Sequence, residues 1–297
     1  IAQKLIPSLI SEKHEIIGIT SHTNTEQAFE EIKMDWYTPS EINLPNIDVF
    51  INTASMSNPY SLRNNLTNGL DSNSKSLICI LDSLKRIRSN PYVINLGSVS
   101  ELDNSSGYIS ELSSPNPQTF YEVFKLFNLS LLKQAKMEGI ISNYIHLRLS
   151  NVYGFKLAST KTQRSYLDKM IFNGAKGLDL EIYGSGEYLR DFLYIEDLIS
   201  LFHAIINNKL LLTKNEYNIG SYKSYTFKYA LEQIVDCAKE NNIVAPRVLY
   251  KEFPIESYSY EKRQTTLEES TIMSEISWKP YISLEKGIEL ALLSYIK

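Results

Sequence analysis

The sequence contains few of the residues that build metal centres or disulfide frameworks. Among its 297 residues are two cysteines, Cys79 and Cys237, and four histidines. The cysteines are far apart and lie inside apolar helical patterns, so we interpret both as reduced core residues. The histidines lack the spacing of metal ligands, and we predict no metal site.

The sequence also lacks long apolar runs and a large excess of either positive or negative charge. No apolar run approaches the length that spans a membrane, and no signal peptide is visible. The formal net charge is -4 and its acids and bases are interspersed, which argues against a nucleic-acid surface. We therefore expect a cytoplasmic protein with neither a membrane nor a nucleic acid as partner. With 43% hydrophobic residues, the chain can bury one large core or two unequal ones.

A tyrosine and a lysine stand one helical turn apart in residues 120–133. Apolar residues recur there at helical spacing, so Tyr121 and Lys125 share a face of the predicted helix. A phenol ordinarily loses its proton near pH ~10, and a nearby ammonium lowers that pKa. The pair therefore predicts a tyrosine that can transfer a proton near neutral pH. Because the chain contains 20 tyrosines, a purely structural explanation of the spacing stays open.

Three further motifs accompany this helix in chain order. Residues 91–98 predict a buried strand that ends in Ser98, and residues 145–154 predict another strand with its exit loop. Residues 184–197 follow and contain Arg190. In this order the motifs closely resemble the extended short-chain dehydrogenase/reductase family, the NAD(P)-dependent epimerases, dehydratases and reductases of nucleotide sugars.

The resemblance implies an α/β fold. We expect a doubly wound parallel sheet of the Rossmann type with a smaller mixed α/β substrate-binding lobe. The dinucleotide-binding domain would comprise residues 1–153 and 191–220, and the lobe would comprise residues 154–190 and 221–297. Such sheets bind ligands at the carboxyl ends of their strands.

The start of the chain departs from the family pattern. Residues 1–10 predict a helix and residues 14–20 a strand, whereas in the family a strand and a glycine-rich turn precede that helix. Ala2 falls where the last small residue of the glycine fingerprint would stand. Since a central parallel strand is hydrogen-bonded on both sides, we expect that the first strand and the loop are missing from the given sequence.

The resemblance also indicates where the cofactor binds. An acid at the end of the next strand would accept a hydrogen bond from the ribose 2′-hydroxyl, but Thr20 and Ser21 stand there and no acid occurs before Glu26. We therefore favour NADP(H), with NAD(H) possible. Further cofactor contacts are expected from Ala2, Asp35, Thr53, Ala54, Ser55 and Asn73. Asn73 would also kink its helix, a role for which Asn64, Asn65 and Asn68 compete.

The family's catalytic residues match three positions. Tyr121 would be the acid/base, Lys125 would tune it and contact the cofactor ribose, and Ser98 would polarise a substrate oxygen. Ser100 is the alternative to Ser98. Val99 and Ser100 stand where the family's 4,6-dehydratases have an Asp-Glu pair, which argues against dehydration.

Three residues are expected to bind the nucleotide-diphosphate sugar. By resemblance, Asn151 donates a hydrogen bond to it, although an asparagine before a glycine also suits a turn. Arg190 is the favoured diphosphate contact because its planar guanidinium donates paired hydrogen bonds, with a structural Arg-Asp salt bridge as the alternative. Arg263 is a second candidate phosphate contact, with a solvated surface role as its alternative.

These residues predict an NAD(P)-dependent oxidoreductase that acts on a nucleotide-diphosphate sugar. We favour a keto-sugar reductase in deoxy-sugar or surface-polysaccharide precursor synthesis, with an NAD-dependent nucleotide-sugar epimerase as the alternative. A non-catalytic dinucleotide-binding sensor or scaffold is the third hypothesis, against which the retention of Ser98, Tyr121 and Lys125 together argues. A homodimer is expected through the apolar face of the helix near residues 120–139, although core packing would explain that face equally well.

Overall fold

A computed structural model describes residues 1–20, 29–33, 44–103, 107–156, 165–254 and 259–296. The chain divides into two compact units. Unit 1 comprises Ile1–Glu101, Asn116–Arg148 and Ile206–Tyr217, and unit 2 comprises Leu102–Pro115, Leu149–Ile205 and Asn218–Lys297. The predicted substrate-binding lobe falls within unit 2, which additionally takes in 102–115, 149–153, 191–205 and 218–220.

The described residues form ten α-helices and thirteen strands. The helices are α1 (Ala2–Ser11), α2 (Pro59–Asn64), α3 (Leu66–Leu70), α4 (Ser76–Ile87), α5 (Phe120–Met137), α6 (Tyr166–Ala175), α7 (Ile195–Asn208), α8 (Phe227–Glu240), α9 (Ile272–Glu275) and α10 (Leu284–Leu293). The strands are β1 (Ile17–Thr20), β2 (Glu30–Lys33), β3 (Val49–Asn52), β4 (Tyr92–Ser98), β5 (Tyr108–Ile109), β6 (Asn143–Leu149), β7 (Asn151–Tyr153), β8 (Leu180–Tyr183), β9 (Leu189–Tyr194), β10 (Glu216–Ile219), β11 (Ser224–Thr226), β12 (Val248–Lys251) and β13 (Thr266–Leu267).

A four-stranded sheet, in the order β10-β6-β4-β3, runs almost entirely within unit 1. β3 and β4 pair in parallel, and β1 pairs in parallel with β2 in a separate two-stranded sheet. All residues of β4 from Tyr92 to Gly97 are buried, which is the pattern of a parallel strand covered on both faces. The predicted parallel α/β architecture is confirmed, and so are the strands expected at residues 91–98 and 145–154.

The core of unit 1 lies where α4 and α5 cover the sheet. Aliphatic residues of both helices and of β4 pack together there, and the buried members of this cluster include Leu77, Ile80, Leu84, Val93, Leu129, Leu132 and Ala135. On the opposite side of α5, Phe120, Val123 and Phe127 are 43%, 45% and 40% exposed. The helix therefore buries one apolar stripe and leaves a second one outside the core of its own chain.

A capping box starts α5 two residues before Tyr121. The Thr119 side chain accepts a hydrogen bond from the Glu122 backbone N–H at 3.4 Å, and Glu122 Oε2 accepts one from the Thr119 backbone N–H at 3.0 Å. Glu122 also accepts a short hydrogen bond from the Gln118 backbone N–H. These bonds satisfy donors that a helix N-terminus otherwise leaves unpaired, so they fix where the helix begins.

Unit 2 contains smaller sheets and a helical layer. β9 pairs antiparallel with β11 and parallel with β7, and β12 pairs with β8. Helices α6, α8 and α10 pack on one another. The segment between β8 and β9 is a turn, because these strands pair with different partners and Gly184 and Gly186 have positive φ.

None of the described helices has the length and apolar character needed to cross a membrane.

Replacing Thr119 with Ala is expected to lower the free energy of unfolding by about 1 kcal/mol, because it removes the cap of α5. Urea denaturation followed by circular dichroism measures this change. Ser130→Ala is the matched control, since Ser130 is exposed on the same helix and caps nothing. Equal losses in the two variants would contradict a capping role for Thr119.

Candidate active site

Unit 1 brings the three predicted catalytic residues together. Ser98 is the last residue of β4, while Tyr121 and Lys125 lie in the first two turns of α5. The hydroxyls of Ser98 and Ser55 lie close enough to the Tyr121 phenol to lower its pKa. Lys125 Nζ lies 5.5 Å from the Tyr121 ring centroid and donates a hydrogen bond to Leu96 O at 2.7 Å. The packing of α5 on β4 thus builds the cluster.

Ser98, and not the alternative Ser100, acts on the pKa of the Tyr121 phenol. Ser100 lies one step further away, with its hydroxyl oxygen 2.8 Å from that of Ser98 and its backbone N–H donating to Ser98 Oγ at 3.2 Å. These bonds orient the Ser98 side chain. The geometry therefore supports Ser98 as the hydroxyl that would meet a substrate oxygen beside Tyr121.

Tyr121 holds its proton more tightly than an ordinary tyrosine. Burial raises the pKa of Tyr121, the charges of Glu101 and Glu122 raise it further, and the hydroxyls of Ser55 and Ser98 act in the opposite direction. The lowering that we predicted from the neighbouring ammonium is not found, because burial raises the pKa of the phenol and Lys125 is not among the groups that shift it. At neutral pH the residue is a proton donor.

Burial acts on Lys125 as well. The side chain is 3% exposed. Burial lowers the pKa of Lys125 to about 8, while the negative charge of Glu101 opposes this effect. Because this pKa lies only slightly above neutral pH, most of the Lys125 side chains, but not all, are charged there.

The expected cofactor residues Thr53, Ala54 and Ser55 directly follow β3. Asn52, the last residue of that strand, accepts a hydrogen bond from the Ala54 backbone N–H at 3.3 Å. Ala2 lies in the first turn of α1 and Thr20 ends β1, whereas Ser21 and Asp35 lie outside the described residues. The small side chains after β3 leave the backbone accessible to a ligand.

Asn73 lies in a single π-helical turn, Asp71–Lys75, between α3 and α4. Its amide donates to Gly69 O at 2.9 Å, and its Oδ1 accepts hydrogen bonds from Ser55 Oγ at 2.8 Å and Met56 N–H at 3.1 Å. The kink expected in this helix is therefore at Asn73. Through Ser55, Asn73 fixes the turn after β3 on the side that faces Tyr121.

Sequence reasoning missed a buried polar cluster behind Ser98. Glu101 and His146 are both fully buried and are joined by a hydrogen bond of 3.0 Å between His146 Nε2 and Glu101 Oε2. Asn95 lies 2.8 Å from the other ring nitrogen of His146. Polar residues within otherwise apolar strands, at Asn95 in β4 and His146 in β6, were the signal that could have revealed this cluster.

The three expected substrate-binding residues lie in unit 2. Asn151 is exposed, and its amide donates to Asp191 O at 2.9 Å. The Arg190 guanidinium donates to three main-chain carbonyls, those of Leu189 at 2.8 Å, Glu261 at 2.6 Å and Arg263. Arg190 therefore anchors the segment that carries Arg263.

Asp191, next to Arg190, is buried and accepts hydrogen bonds from the backbone N–H of Ser221 at 2.8 Å and from its hydroxyl at 3.2 Å. Burial raises the pKa of Asp191. Within the described part of the chain, no group of three or more His, Cys, Asp or Glu side chains could hold a metal ion.

A model of the NAD dependent epimerase/dehydratase family matches residues 1–220. The chain is 23% identical over 244 residues to dTDP-4-dehydro-6-deoxyglucose reductase of Escherichia coli, a region that covers 82% of this chain and 73% of that protein. The family expected from the motifs is therefore confirmed.

Two solved structures illustrate the shared fold. UDP-glucuronic acid 4-epimerase from Bacillus cereus, in complex with NAD, aligns with a TM-score of 0.75 and 21% identity over 99% of this chain and 96% of that chain. RMD from Pseudomonas aeruginosa, complexed with NADPH, aligns with a TM-score of 0.75 and 15% identity over 94% of this chain and 98% of that chain. These likenesses confirm the expected Rossmann-type α/β fold.

Lys125 is expected to make stability depend on pH. Its pKa is about 8 in the folded chain against the ordinary 10.5, so between these values the unfolded chain binds more protons. The contribution of Lys125 to the free energy of unfolding therefore rises with pH. Relative to a Lys125→Met variant, the wild type should gain about 2 to 4 kcal/mol between pH 7 and pH 10.

Guanidinium chloride unfolding at several pH values measures this difference. Lys136→Met is the control, because it removes an exposed ammonium, and no buried one, from the same helix. A constant difference for Lys125→Met would contradict the lowered pKa of Lys125.

Proposed function

The chain belongs to the NAD-dependent epimerase/dehydratase family, and on that premise we propose that it reduces a keto group of a nucleotide-diphosphate sugar with a nicotinamide cofactor. The observation that carries the proposal is the cluster of Ser98, Tyr121 and Lys125, in which Tyr121 keeps its proton at neutral pH. The similar E. coli protein is named dTDP-4-dehydro-6-deoxyglucose reductase, which supports a nucleotide-sugar substrate. The direction of the reaction is our inference from the protonation of Tyr121.

Reduction of a carbonyl needs a proton donor. When a hydride adds to the carbonyl carbon, the C=O π bond breaks and its electron pair moves to the oxygen, which then takes a proton. Tyr121, whose pKa is raised, enters this step in the correct form, whereas oxidation of a sugar hydroxyl would first require it to lose that proton. Val99 and Ser100 after Ser98 add no acid pair for elimination of water.

Ser98 and Lys125 support that transfer. The Ser98 hydroxyl, which lies near enough to the phenol to lower its pKa, can donate a hydrogen bond to the oxygen that gains negative charge. The buried Lys125 ammonium stabilises the phenolate that remains after the transfer. A bound nicotinamide would supply the hydride.

The residues around the cluster fit such a cofactor. The Lys125 ammonium has three hydrogens and is hydrogen-bonded to Leu96 O, so it can also donate to ribose hydroxyls. The small residues Thr53, Ala54 and Ser55 allow close approach at the end of β3. We favour NADPH, which the P. aeruginosa protein binds, because Thr20 and not an acid ends β1.

Unit 2 supplies the residues that we assign to the nucleotide diphosphate. Arg190 is held by carbonyls on both sides of Lys262 and thereby orders the segment from Glu261 to Arg263. We assign the phosphate contact chiefly to Arg263, with Arg190 as its anchor and second contact. Asn151, exposed at the start of β7, is the candidate hydrogen-bond donor to the sugar nucleotide.

The exposed stripe of Phe120, Val123 and Phe127 on α5 supports the expected homodimer. Three partly exposed large apolar side chains on one helix suit a contact with the same surface of a second copy.

NADPH oxidation with dTDP-4-dehydro-6-deoxyglucose, the substrate named for the E. coli relative, tests the proposed reaction. Tyr121→Phe should lower the turnover rate by about 100-fold or more with little change in NADPH affinity, because only the proton donor is lost. Tyr92→Phe is the matched control, since Tyr92 is a buried tyrosine at the opposite end of β4. Its turnover should equal that of the wild type.

Identification by mass of any nucleotide released on denaturation completes this test. Tightly held NAD together with interconversion of UDP-glucuronic acid would favour an epimerase and contradict the reductase. A folded protein that binds neither NAD nor NADPH would contradict both enzymatic assignments.

Replacement of Arg263 by Ala is expected to weaken binding of dTDP by about tenfold or more, because a charge-assisted hydrogen bond to phosphate is lost. Isothermal titration calorimetry measures the affinity, and thermal unfolding should show an unchanged Tm. Arg247→Ala is the control, because Arg247 lies in the same unit, is 77% exposed and pairs with Asp179. Unchanged dTDP affinity in the Arg263 variant would remove Arg263 from the phosphate site.

A further inference from the structure

A chain of buried polar side chains in unit 1 joins the turn after β3 to the turn after β4. Asn52 Nδ2 donates to Asn95 Oδ1 at 2.8 Å, Asn95 Nδ2 lies 2.8 Å from His146 Nδ1, and His146 Nε2 lies 3.0 Å from Glu101 Oε2. Exposure of these four side chains is 5% for Asn52 and 0% for the others. At the far end, the Ser98 backbone N–H donates to Glu101 Oε1 at 2.6 Å.

The direction of donation along this chain follows from its first bond. The Ala54 backbone N–H can only donate, so Asn52 must present Oδ1 to it and use Nδ2 toward Asn95. Asn95 then presents its own Nδ2 to His146 Nδ1, which must accept. His146 is therefore the tautomer with hydrogen on Nε2, and it donates to Glu101.

Glu101 is an acceptor at both of its oxygens. Ser98 N–H and His146 Nε2–H donate to them, and Arg148 Nε lies 3.6 Å from Oε2. This is the hydrogen-bonding pattern of an ionised carboxylate. Gly97 makes room for the pair, because a Cβ there would lie 2.2 Å from His146 Nε2 and 2.7 Å from Glu101 Oε1.

Stability does not account for this arrangement. Burying a charge and several polar groups costs free energy, and apolar residues of similar volume often stabilise a core equally well or better. The cluster lies directly behind Ser98, which acts on the pKa of the Tyr121 phenol. A role in the reaction is therefore the better explanation.

We propose that Glu101, clamped by His146, is a positioning residue of the reductase site, which fixes the turn carrying Ser98 and places a buried negative charge near the Lys125 ammonium. The proposal rests on the proposed keto-sugar reduction. Glu101 touches neither substrate nor cofactor in this assignment and acts through Ser98, Tyr121 and Lys125.

The electrostatics of the two helix residues agree with this role. The charge of Glu101 raises the pKa of Tyr121 and opposes the effect of burial on the pKa of Lys125. Other charged or titratable groups near this cluster are Glu122 on α5, which also raises the pKa of Tyr121, and His146 and Arg148 on β6, which face Glu101. The Glu122 carboxylate binds the backbone at the start of α5. The Glu101 carboxylate, in contrast, binds the backbone of the turn that carries Ser98.

The test measures how the charge of Glu101 changes the titration midpoint of Lys125. In protein labelled with [13Cε]lysine, the NMR signal that is lost in Lys125→Met should titrate near pH 8. In Glu101→Gln its midpoint should fall by about 1 pH unit or more, since a nearby anion that favours the ammonium has been removed. Glu101→Asp, which keeps the charge, should titrate close to the wild type.

Glu138→Gln is the matched control. Glu138 follows α5, is 46% exposed and pairs with Lys85 at 3.5 Å, so its neutralisation should leave the Lys125 midpoint unchanged. The same four proteins are then assayed with NADPH and dTDP-4-dehydro-6-deoxyglucose. Glu101→Gln should lower kcat by about tenfold or more and leave the KM for NADPH near the wild-type value, because the Ser98 turn loses its acceptor and Lys125 loses the anion that favours its charged form.

An unchanged Lys125 midpoint in folded Glu101→Gln would overturn the proposal and leave the pair with a packing role only. If that variant does not fold, the double variant Glu101→Met, His146→Leu replaces it, because it removes the charge together with its partner. In the double variant, a wild-type midpoint and kcat would equally overturn the proposal, and a lowered midpoint with a lowered kcat would support it.

A wild-type protein that binds no NADPH would contradict the proposed function without testing the role of Glu101. The lysine titration still decides the effect of the Glu101 charge in that case.

Discussion

The packing of helix α5 on the end of strand β4 is the constraint on which the site depends. Its clearest mark is the hydrogen bond of 2.7 Å from the buried Lys125 ammonium to Leu96 O, two residues before Ser98. This bond, the capping box at Thr119 and the aliphatic contacts of Leu129 and Leu132 hold one face of the helix against the sheet. These contacts fix the rotation of α5 about its axis, and this orientation places the Tyr121 phenol near the Ser98 hydroxyl.

The same packing determines the protonation of Tyr121 and Lys125. Removing a phenol from water disfavours its anion, and removing an ammonium from water disfavours its cation, so burial moves the pKa of Tyr121 up and that of Lys125 down. Glu101 counteracts the second effect and reinforces the first. The result at neutral pH is a protonated tyrosine beside a charged lysine, which suits the delivery of a proton to a sugar oxygen.

Some predictions about the site were possible because they depend on local spacing. The i, i+4 spacing of Tyr121 and Lys125 places both on one helix face, and an apolar run that ends in Ser98 places a hydroxyl at a strand end. The Glu101–His146 pair was not predicted because its members lie 45 residues apart in the chain. The raised pKa of Tyr121 was not predicted for a related reason, since burial and the charge of Glu101 act on the phenol only in the folded chain.

The sequence by itself determined the family, the parallel α/β architecture and the identity of the three clustered residues, because helix and strand periodicity and motif order are properties of neighbours in the chain. Only the tertiary structure decided that Ser98 and not Ser100 acts on the pKa of the phenol, that Arg190 is bound to the carbonyls of Glu261 and Arg263, and that Tyr121 retains its proton. Those outcomes depend on which distant groups pack together and exclude water. Solvent exclusion and long-range hydrogen bonds arise only in the folded chain.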